Sequence, residues 1–385
     1  MTIARSEIAE IVGAYGDAPI VAAVGSHSAL DIADGASSEG FRTLVLAQQG
    51  RDRTYAQYYR IHRDAAGQPI RGCVDDVWTY PKFANLAAPP QQARLRAASA
   101  LLVPNRALSS YVDLTVLENE LRVPIVGSRA LLRIEERTER ENYYTLLGRA
   151  GIPTPAAIAD PAAIDGLAIV KLPHATKRLE RGFFTVASPA EFERKRDELL
   201  RRKTITREDL ATARIERYIL GPVFNFNFFH SALAPREEAL ELLGVDERRE
   251  SSLDGLVRLP ASQQLELAEA GRTPEYTVVG HGTLTVRESI LEEVFALGEK
   301  FVAAARTHYP PGILGPFCLQ TCIDPDGRPW VFDVAARIGG GTNIHLGLGH
   351  PYGNALWRGP MSSGRRIARE IRQALAEDRL QEIVT

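Results

Sequence analysis

Two short apolar runs separated by one helix-length segment set the architecture of the first third of the chain. Residues 20–25 (IVAAVG) are continuously apolar, as a strand buried on both faces must be. Residues 30–38 read as a helix, Gly40 as its cap, and residues 43–47 as a second strand. A strand–helix–strand unit of this length implies a parallel sheet, because the helix carries the chain back before the second strand begins. Residues 100–103 and 124–126 predict later strands of the same sheet. The corner at residues 25–28 (GSHS) joins a strand to a helix but lacks the later glycines of a dinucleotide fingerprint. A helix N-terminus with two hydroxyls and an imidazole suits a phosphate; simple capping by Ser26 or Ser28 would use the same residues.

Further along the reading turns from α/β to α+β. Ser128 predicts the cap of a helix running to Ala150, and residues 152–155 (IPTP) break regular structure. Strands are expected at 167–172 and near 183–186, with a charged helix at 190–202 between them and the next strand. The last segment alternates more strongly: strands at 213–220, 223–230, 240–245 and 276–279, a helix at 289–307, strands at 316–323 and 329–336, and a closing helix at 362–378. The expected domains are therefore 1–127, 128–212 and 213–385, and a chain of 385 residues is long enough for them.

Composition excludes more than it assigns. A formal net charge of -2 gives no electrostatic case for nucleic acid or a membrane surface, and no run approaches the length of a membrane span. Cys73, Cys318 and Cys322 lack the pairing of a disulfide framework or zinc site and are expected to be reduced and buried. The opening residues carry no signal-peptide pattern, so the expected compartment is the cytoplasm.

The chemistry concentrates near the C-terminus. Asp326-Gly327 between two β-rich runs predicts a two-residue type I′ hairpin, which sets Gln320 opposite Asp333. Alternation then puts Cys318, Gln320 and Cys322 on one face with Asp333, Ala335 and Arg337. Two oxygen ligands and a guanidinium there suit magnesium and a phosphoryl group; a polar, solvent-facing hairpin fits the pattern equally. Gly339-Gly340-Gly341 followed by Thr342 and Asn343 predicts either a backbone anion nest or a flexible turn. Lys171, inside an apolar strand, requires an anionic partner, either a triphosphate or a buried carboxylate. Glu216, in the strand ending Glu216-Arg217-Tyr218, raises the same question, its plain alternative being an exposed edge position.

Together the lysine strand, the Glu-x-Tyr strand and the hairpin followed by Arg337 resemble an ATP-grasp fold with an N-terminal Rossmann-like domain. More closely, the chain resembles the archaeal formate-dependent 5-formaminoimidazole-4-carboxamide ribonucleotide synthetases. The resemblance rests on residues 25–30 (GSHSAL), 129–135 (RALLRIE), 241–246 (ELLGVD), 254–260 (DGLVRLP), 315–320 (GPFCLQ), 336–338 with 341–343, and 364–371 (GRRIAREI). It implies an ATP- and magnesium-dependent ligase that phosphorylates formate and transfers the formyl group to an imidazole carboxamide ribonucleotide. By position it implies that Ser26, His27, Ser28, Ala107, His281, Thr342 and Asn343 line the nucleotide-like amine. Lys171, Glu216, Tyr218 and Glu250 would hold ATP, Gln320 and Asp333 the metal, and Arg337 the transferred phosphoryl group. A closed homo-oligomer is also implied.

Departures from the family pattern keep other readings open. Ala107 stands where a serine is expected and His281 where an asparagine is. The ATP loop at 174–182 has glycine only at Gly182, though Lys177, Arg178 and Arg181 supply charge. Gln320 is neutral, Asp333 is short and Ala335 takes the usual third ligand position. A paralogous amide ligase for another carboxylate or nucleoside-like amine, as in natural-product biosynthesis, fits these changes. So does a nucleotide-binding protein with weakened catalysis.

Overall fold

The computed structural model describes residues 2–172, 183–272 and 277–385. The first sheet is parallel, built from β1 (Ile20–Val24), β2 (Thr43–Gln48), β5 (Asp76–Tyr80) and β6 (Ala100–Val103) in the order β5-β2-β1-β6. A small antiparallel pair, β3 (His62–Arg63) and β4 (Pro69–Arg71), lies in the connection before β5. Residues 124–126 contribute a bridge from Ile125 to Leu102 rather than a strand. The order of strands reverses between β1 and β6, which opens a crevice beyond their C-terminal ends, the usual ligand position in such sheets. Residues 25–28 lie at that point.

The second sheet is antiparallel: β7 (Ala157–Ile158), β8 (Ala168–Lys171), β9 (Phe183–Val186) and β10 (Arg214–Arg217) in the order β7-β10-β8-β9. Its apolar face (Ala168, Val170, Phe184, Val186, Ile215) packs with Phe192 of helix Pro189–Arg201. Strand alternation leaves Lys171 of β8 and Arg214 and Glu216 of β10 on the opposite face.

The third sheet is larger: β11 (Val223–His230), β12 (Leu240–Glu250), β13 (Val278–Thr283), β14 (Gly315–Ile323) and β15 (Pro329–Ala335), ordered β13-β12-β11-β14-β15. One face is apolar and buries Phe226, Phe228, Phe317 and Leu319 against helix Leu291–His308. Phe317 stacks between Phe228 and Phe301, with ring centroids 5.1 Å apart on each side. The other face carries the polar residues of the site.

Three expectations are corrected. The helix predicted from Ser128 to Ala150 is instead two 3₁₀ turns, Arg129–Leu131 and Arg133–Glu135, followed by helix Tyr143–Arg149. The break has two causes: Asn142 caps the later helix by accepting from Tyr144 and Thr145, and Arg129 turns inward. Its guanidinium donates to the carbonyls of Leu117, Leu121, Val123 and Thr385 at 2.6–2.9 Å, tying the last residue to the first sheet. The hairpin loop is longer than two residues. The Asp324 carboxylate accepts from the amides of Asp326 and Arg328, and only Gly327 has a positive φ, so a type I′ turn does not form. Gln320 still faces Asp333, because a bulge at Phe332 restores the register that the longer loop shifts by one. Neither serine caps helix Ala29–Ser38; Ser28 has φ 58° and turns its hydroxyl elsewhere. The strand expected at 240–245 extends to Glu250, and the strand expected at 276–279 is Val278–Thr283.

The closing helix Ser363–Ala376 crosses helix Ala29–Ser38 at glycine on each side. A Cβ on Gly364 would lie 1.9 Å from the Asp31 carbonyl oxygen, and one on Gly35 would lie 2.1 Å from the Arg365 nitrogen. Gly364→Val therefore lowers the urea midpoint, by roughly 1–3 kcal/mol as overpacking costs. Gly148→Ala, in a helix with open space at its Cβ, leaves it level or raises it by about 0.4–1 kcal/mol. Equilibrium urea unfolding of the two variants checks the contrast.

Candidate functional site

Helices and sheets bring three groups of side chains to one cleft. The first is the corner after β1. His27 and Ser28 both have positive φ, at 25° and 58°, a strained backbone for non-glycine residues. It is held in place by Asn105, fully buried after β6, whose side chain donates to the carbonyls of Val24, Ser26 and His27 at 2.8, 3.0 and 3.1 Å. Ser28 Oγ donates to the Gly339 carbonyl at 2.5 Å, and Ser26 Oγ lies 2.8 Å from His27 Nδ1. Burial lowers the His27 pKa, and the Arg337 and Arg106 guanidiniums lower it further. The imidazole is thus neutral and available as a hydrogen-bond partner.

The second group is the polar face of the large sheet. Thr283, Asp246, Asn225, Gln320 and Asp333 pair in sequence across all five strands, forming one row. Asp246 accepts from the Asn225 and Asn227 side-chain amides, both at 2.7 Å. The three glycines cross directly above this row. A Cβ on Gly339 would lie 2.2 Å from Asn227 Oδ1, and one on Gly341 would lie 2.3 Å from Asp246 Oδ2 and 2.6 Å from the His281 ring. None of the three has a positive φ, so the expected nest is absent and close approach is what requires glycine. Past them, Asn343 Oδ1 accepts from the Asp31 amide at 3.1 Å, and Thr342 is buried. Arg337 is buried with its guanidinium 3.1 Å from Glu135 Oε2; Glu135 Oε1 accepts from the Ala336 amide. Arg106 reaches Glu135 and Glu136 at 3.4 Å.

The third group faces Asp333 from the small sheet. Lys171 Nζ lies 2.6 Å from Glu216 Oε2, with side chains 7% and 0% exposed. The amine donates to Tyr144 Oη at 2.8 Å and to the carbonyl of Phe332, the bulge residue, at 3.3 Å. Glu216 also accepts from Arg214 Nε at 2.5 Å, and the Arg214 guanidinium lies over the Tyr144 ring. Burial lowers the Lys171 pKa against the pull of Glu216. Beside this group a cavity of about 390 Å³ is lined by Arg137, Asn142, Tyr144, Lys171 and Arg214.

The lysine therefore has its carboxylate, and Glu216 is central in its sheet, not an exposed edge residue. Tyr218, just beyond β10, is half-buried and within electrostatic range of Glu250, at the end of β12; burial raises its pKa. Ala107 is fully buried in the core behind the corner, so its methyl group meets packing neighbours, not the crevice. Cys318 forms part of the buried floor, and all three cysteines are free. The glycine-poor loop at 174–182 lies outside the described residues. Sequence reasoning gives no role to Asn105, Glu135, Asn225, Asn227 or Asp246, although Glu135 and Asp246 lie in stretches that carry the resemblance. Alternation along β11 and β12 marks the last three, since Asn225, Asn227 and Asp246 interrupt otherwise apolar strands.

Two sheets closing on a cleft, with a lysine–glutamate pair on one and an acid–arginine hairpin on the other, define an ATP-grasp ligase. Solved structures share the fold. The ADP complex of N5-carboxyaminoimidazole ribonucleotide synthetase matches 93% of this chain and 77% of that one, with TM-score 0.60 and 11% identity. An IMP biosynthesis protein, PurP, from Thermococcus kodakaraensis matches 95% and 100%, with TM-score 0.69 and 29% identity. Two family descriptions also match: a domain of unknown function (DUF1297) over residues 191–385 and a protein of unknown function (DUF1246) over residues 21–158. The 5-formaminoimidazole-4-carboxamide-1-(beta)-D-ribofuranosyl 5'-monophosphate synthetases of Methanocaldococcus jannaschii and Methanopyrus kandleri are 39% and 38% identical, each over 100% of both chains. The chain belongs to this synthetase family.

Two measurements follow from the buried charges. Lys171→Met leaves Glu216 paired with Arg214 alone and costs roughly 1–3 kcal/mol of stability, part of which returns in Lys171→Met/Glu216→Leu. Equilibrium urea unfolding of the single and double variants measures both costs. Asp246 has its pKa raised to about 6 by burial, against the Asn225 and Asn227 hydrogen bonds. The folded state thus holds a proton that the unfolded state releases nearer pH 4. Stability is fully present below that value and declines as pH rises to about 6, by about 2–3 kcal/mol at 1.36 kcal/mol per unit. Urea midpoints between pH 4 and 7 show this slope, and Asp246→Asn flattens it.

Proposed function

We propose that the protein joins formate to the 5-amino group of 5-aminoimidazole-4-carboxamide ribonucleotide at the expense of ATP. The observation that carries the reading is the meeting of His27, Gly340 and Arg337: a Cβ on Gly340 would stand 3.7 Å from the His27 ring, and the Arg337 charge is felt at that imidazole. An acceptor seated against His27 would then reach an acyl phosphate formed beside Arg337. The carboxylate oxygen attacks the γ-phosphorus and ADP leaves. The amine then attacks the acyl carbon, phosphate departs, and the amine loses its proton. Two displacements replace one that water and a poor leaving group would make slow.

Lys171, Glu216, Tyr218 and Glu250 are assigned to ATP, and Arg337 to the transferred phosphoryl group. Magnesium would be held by Asp333 and Gln320, which face each other across the hairpin. The Asp333 carboxylate faces the cleft, and a cation of this kind takes its other oxygens from phosphates and water. Gln320 Oε1 accepts from Arg248 with one lone pair and would offer the other to the ion. The ion neutralises phosphate charge when bound. Among the described residues no helix is long and apolar enough to cross a membrane, and the reading puts a homo-oligomer of this enzyme in the cytoplasm. The division at residues 127 and 212 is likewise proposed.

One observation favours a different acceptor. The stretch after β6 buttresses the corner through Asn105 and packs Ala107 away from the crevice, so a family contact is missing there. A site lacking one hydrogen-bond partner discriminates differently among amines. Incubation with Mg-ATP, formate and the imidazole ribonucleotide yields ADP and formylated product under the main reading. His27→Ala raises the KM for the nucleotide at least tenfold, and Arg337→Met lowers kcat by about 10²–10³ as loss of a transition-state donor does. Turnover with another heterocyclic amine, and none with this one, selects the second reading.

A further inference from the structure

We infer that Arg248 is the residue that binds the carboxylate substrate; this rests on the ligase reading above and assigns a position within it. A carboxylate that is first phosphorylated and then attacked by an amine must lie between the two partners. The phosphoryl side of the cleft is marked by Asp333 and Arg337 on the hairpin, and the acceptor side by His27, Gly341 and His281. Arg248 spans that interval. It lies on β12 two residues from Asp246, hence on the same polar face, and its backbone pairs with His281 on β13. Its guanidinium crosses β11 and donates to Gln320 Oε1, and Gln320 is directly opposite Asp333.

The charge balance points the same way. The neighbouring Arg249 turns to the other face and is paired with Glu247 and Asp254. Arg337 has Glu135, Arg214 has Glu216, and Arg366 has Glu241 and Glu370. Among the described residues Arg248 makes no ion pair, although it is partly buried. Its hydrogen-bond partner Gln320 is a neutral amide, and the anion that acts on it is Asp246, two residues along the same face and itself tied to Asn225 and Asn227. A guanidinium in that state presents a planar fork suited to two carboxylate oxygens. Gln320 fixes the fork without neutralising it, which a glutamate at that position would not do. The same charge then faces the oxygen that becomes negative when the amine adds to the acyl carbon.

The test is steady-state kinetics of the full-length protein with formate, ATP and the ribonucleotide varied in turn. Arg248→Met is expected to raise the KM for formate at least tenfold and lower kcat/KM for formate at least a hundredfold. The KM values for ATP and nucleotide stay within twofold. Arg248→Lys recovers part of the formate affinity, since charge is kept and the fork is lost. Gln320→Glu also raises the KM for formate by neutralising Arg248. Calorimetric ATP binding and the thermal midpoint of each variant confirm that the cleft is intact. A formate KM unchanged in Arg248→Met, or a shift confined to ATP or to nucleotide, overturns the assignment. If the wild-type protein itself releases no ADP with this substrate pair, the fault lies in the ligase reading; the Arg248 assignment is then decided by the carboxylate that does support ADP release.

Discussion

Close backbone approach at Gly339–Gly341 is the constraint on which the rest of the cleft depends. Three segments distant in sequence meet there: the corner after β1, the polar row of the large sheet, and the exit of the hairpin. Methyl groups on Gly339 and Gly341 would stand 2.2 and 2.3 Å from polar oxygens, so any larger residue would lift the hairpin exit from the floor. The Ser28 hydroxyl then reaches the Gly339 carbonyl, and the corner is fixed to the sheet by a short bond in a dry position. The spacing between the corner and the hairpin exit is therefore set by backbone, which does not relax as side chains do.

Buried charge sets the remaining geometry. The Lys171–Glu216 pair and the Arg337–Glu135 pair are almost wholly withdrawn from water, and such pairs add little net stability because desolvation offsets their attraction. Their effect is positional. Glu135 accepts from the Ala336 amide as well as from Arg337, so one carboxylate fixes both the strand end and the guanidinium. Lys171 reaches the Phe332 carbonyl, which the bulge turns toward the small sheet, and so joins the two walls of the cleft. The strain of the bulge and of His27 and Ser28 is concentrated where ligands must be gripped.

How much of this was legible in the sequence differs by element. The βαβ unit, Lys171 in its apolar strand and the Gln320–Asp333 opposition follow from period and turn signals, which act over a few residues. The opposition came out right through two compensating features: a loop longer than Asp326-Gly327 alone suggests, and a bulge at Phe332. Neither has a local signature, since Asp324 satisfies the loop amides with an ordinary aspartate side chain. The helix expected after Ser128 failed for a long-range reason, because Arg129 is drawn to carbonyls that include the last residue of the chain. Asn225, Asn227 and Asp246 become a single group only when β11 and β12 pair, and no spacing within either strand reveals that.

Under the proposed function the hairpin would be a phosphate site with few metal ligands. Carboxylates gather metal ions whose charge then offsets that of the phosphates. Here Ala335 and neutral Gln320 remove two opportunities for this, and among the described residues no group of three or more acidic, histidine or cysteine side chains converges on a metal position. Arg248 and Arg337 instead hold positive charge on either side of Asp333 through covalent attachment to rigid strands. A fixed cation in a low-dielectric cleft needs no reorganisation when negative charge develops, whereas a bound ion must be recruited with each nucleotide. Under the proposed reading, a neutral amide beside Arg248 leaves that guanidinium available to an anionic substrate.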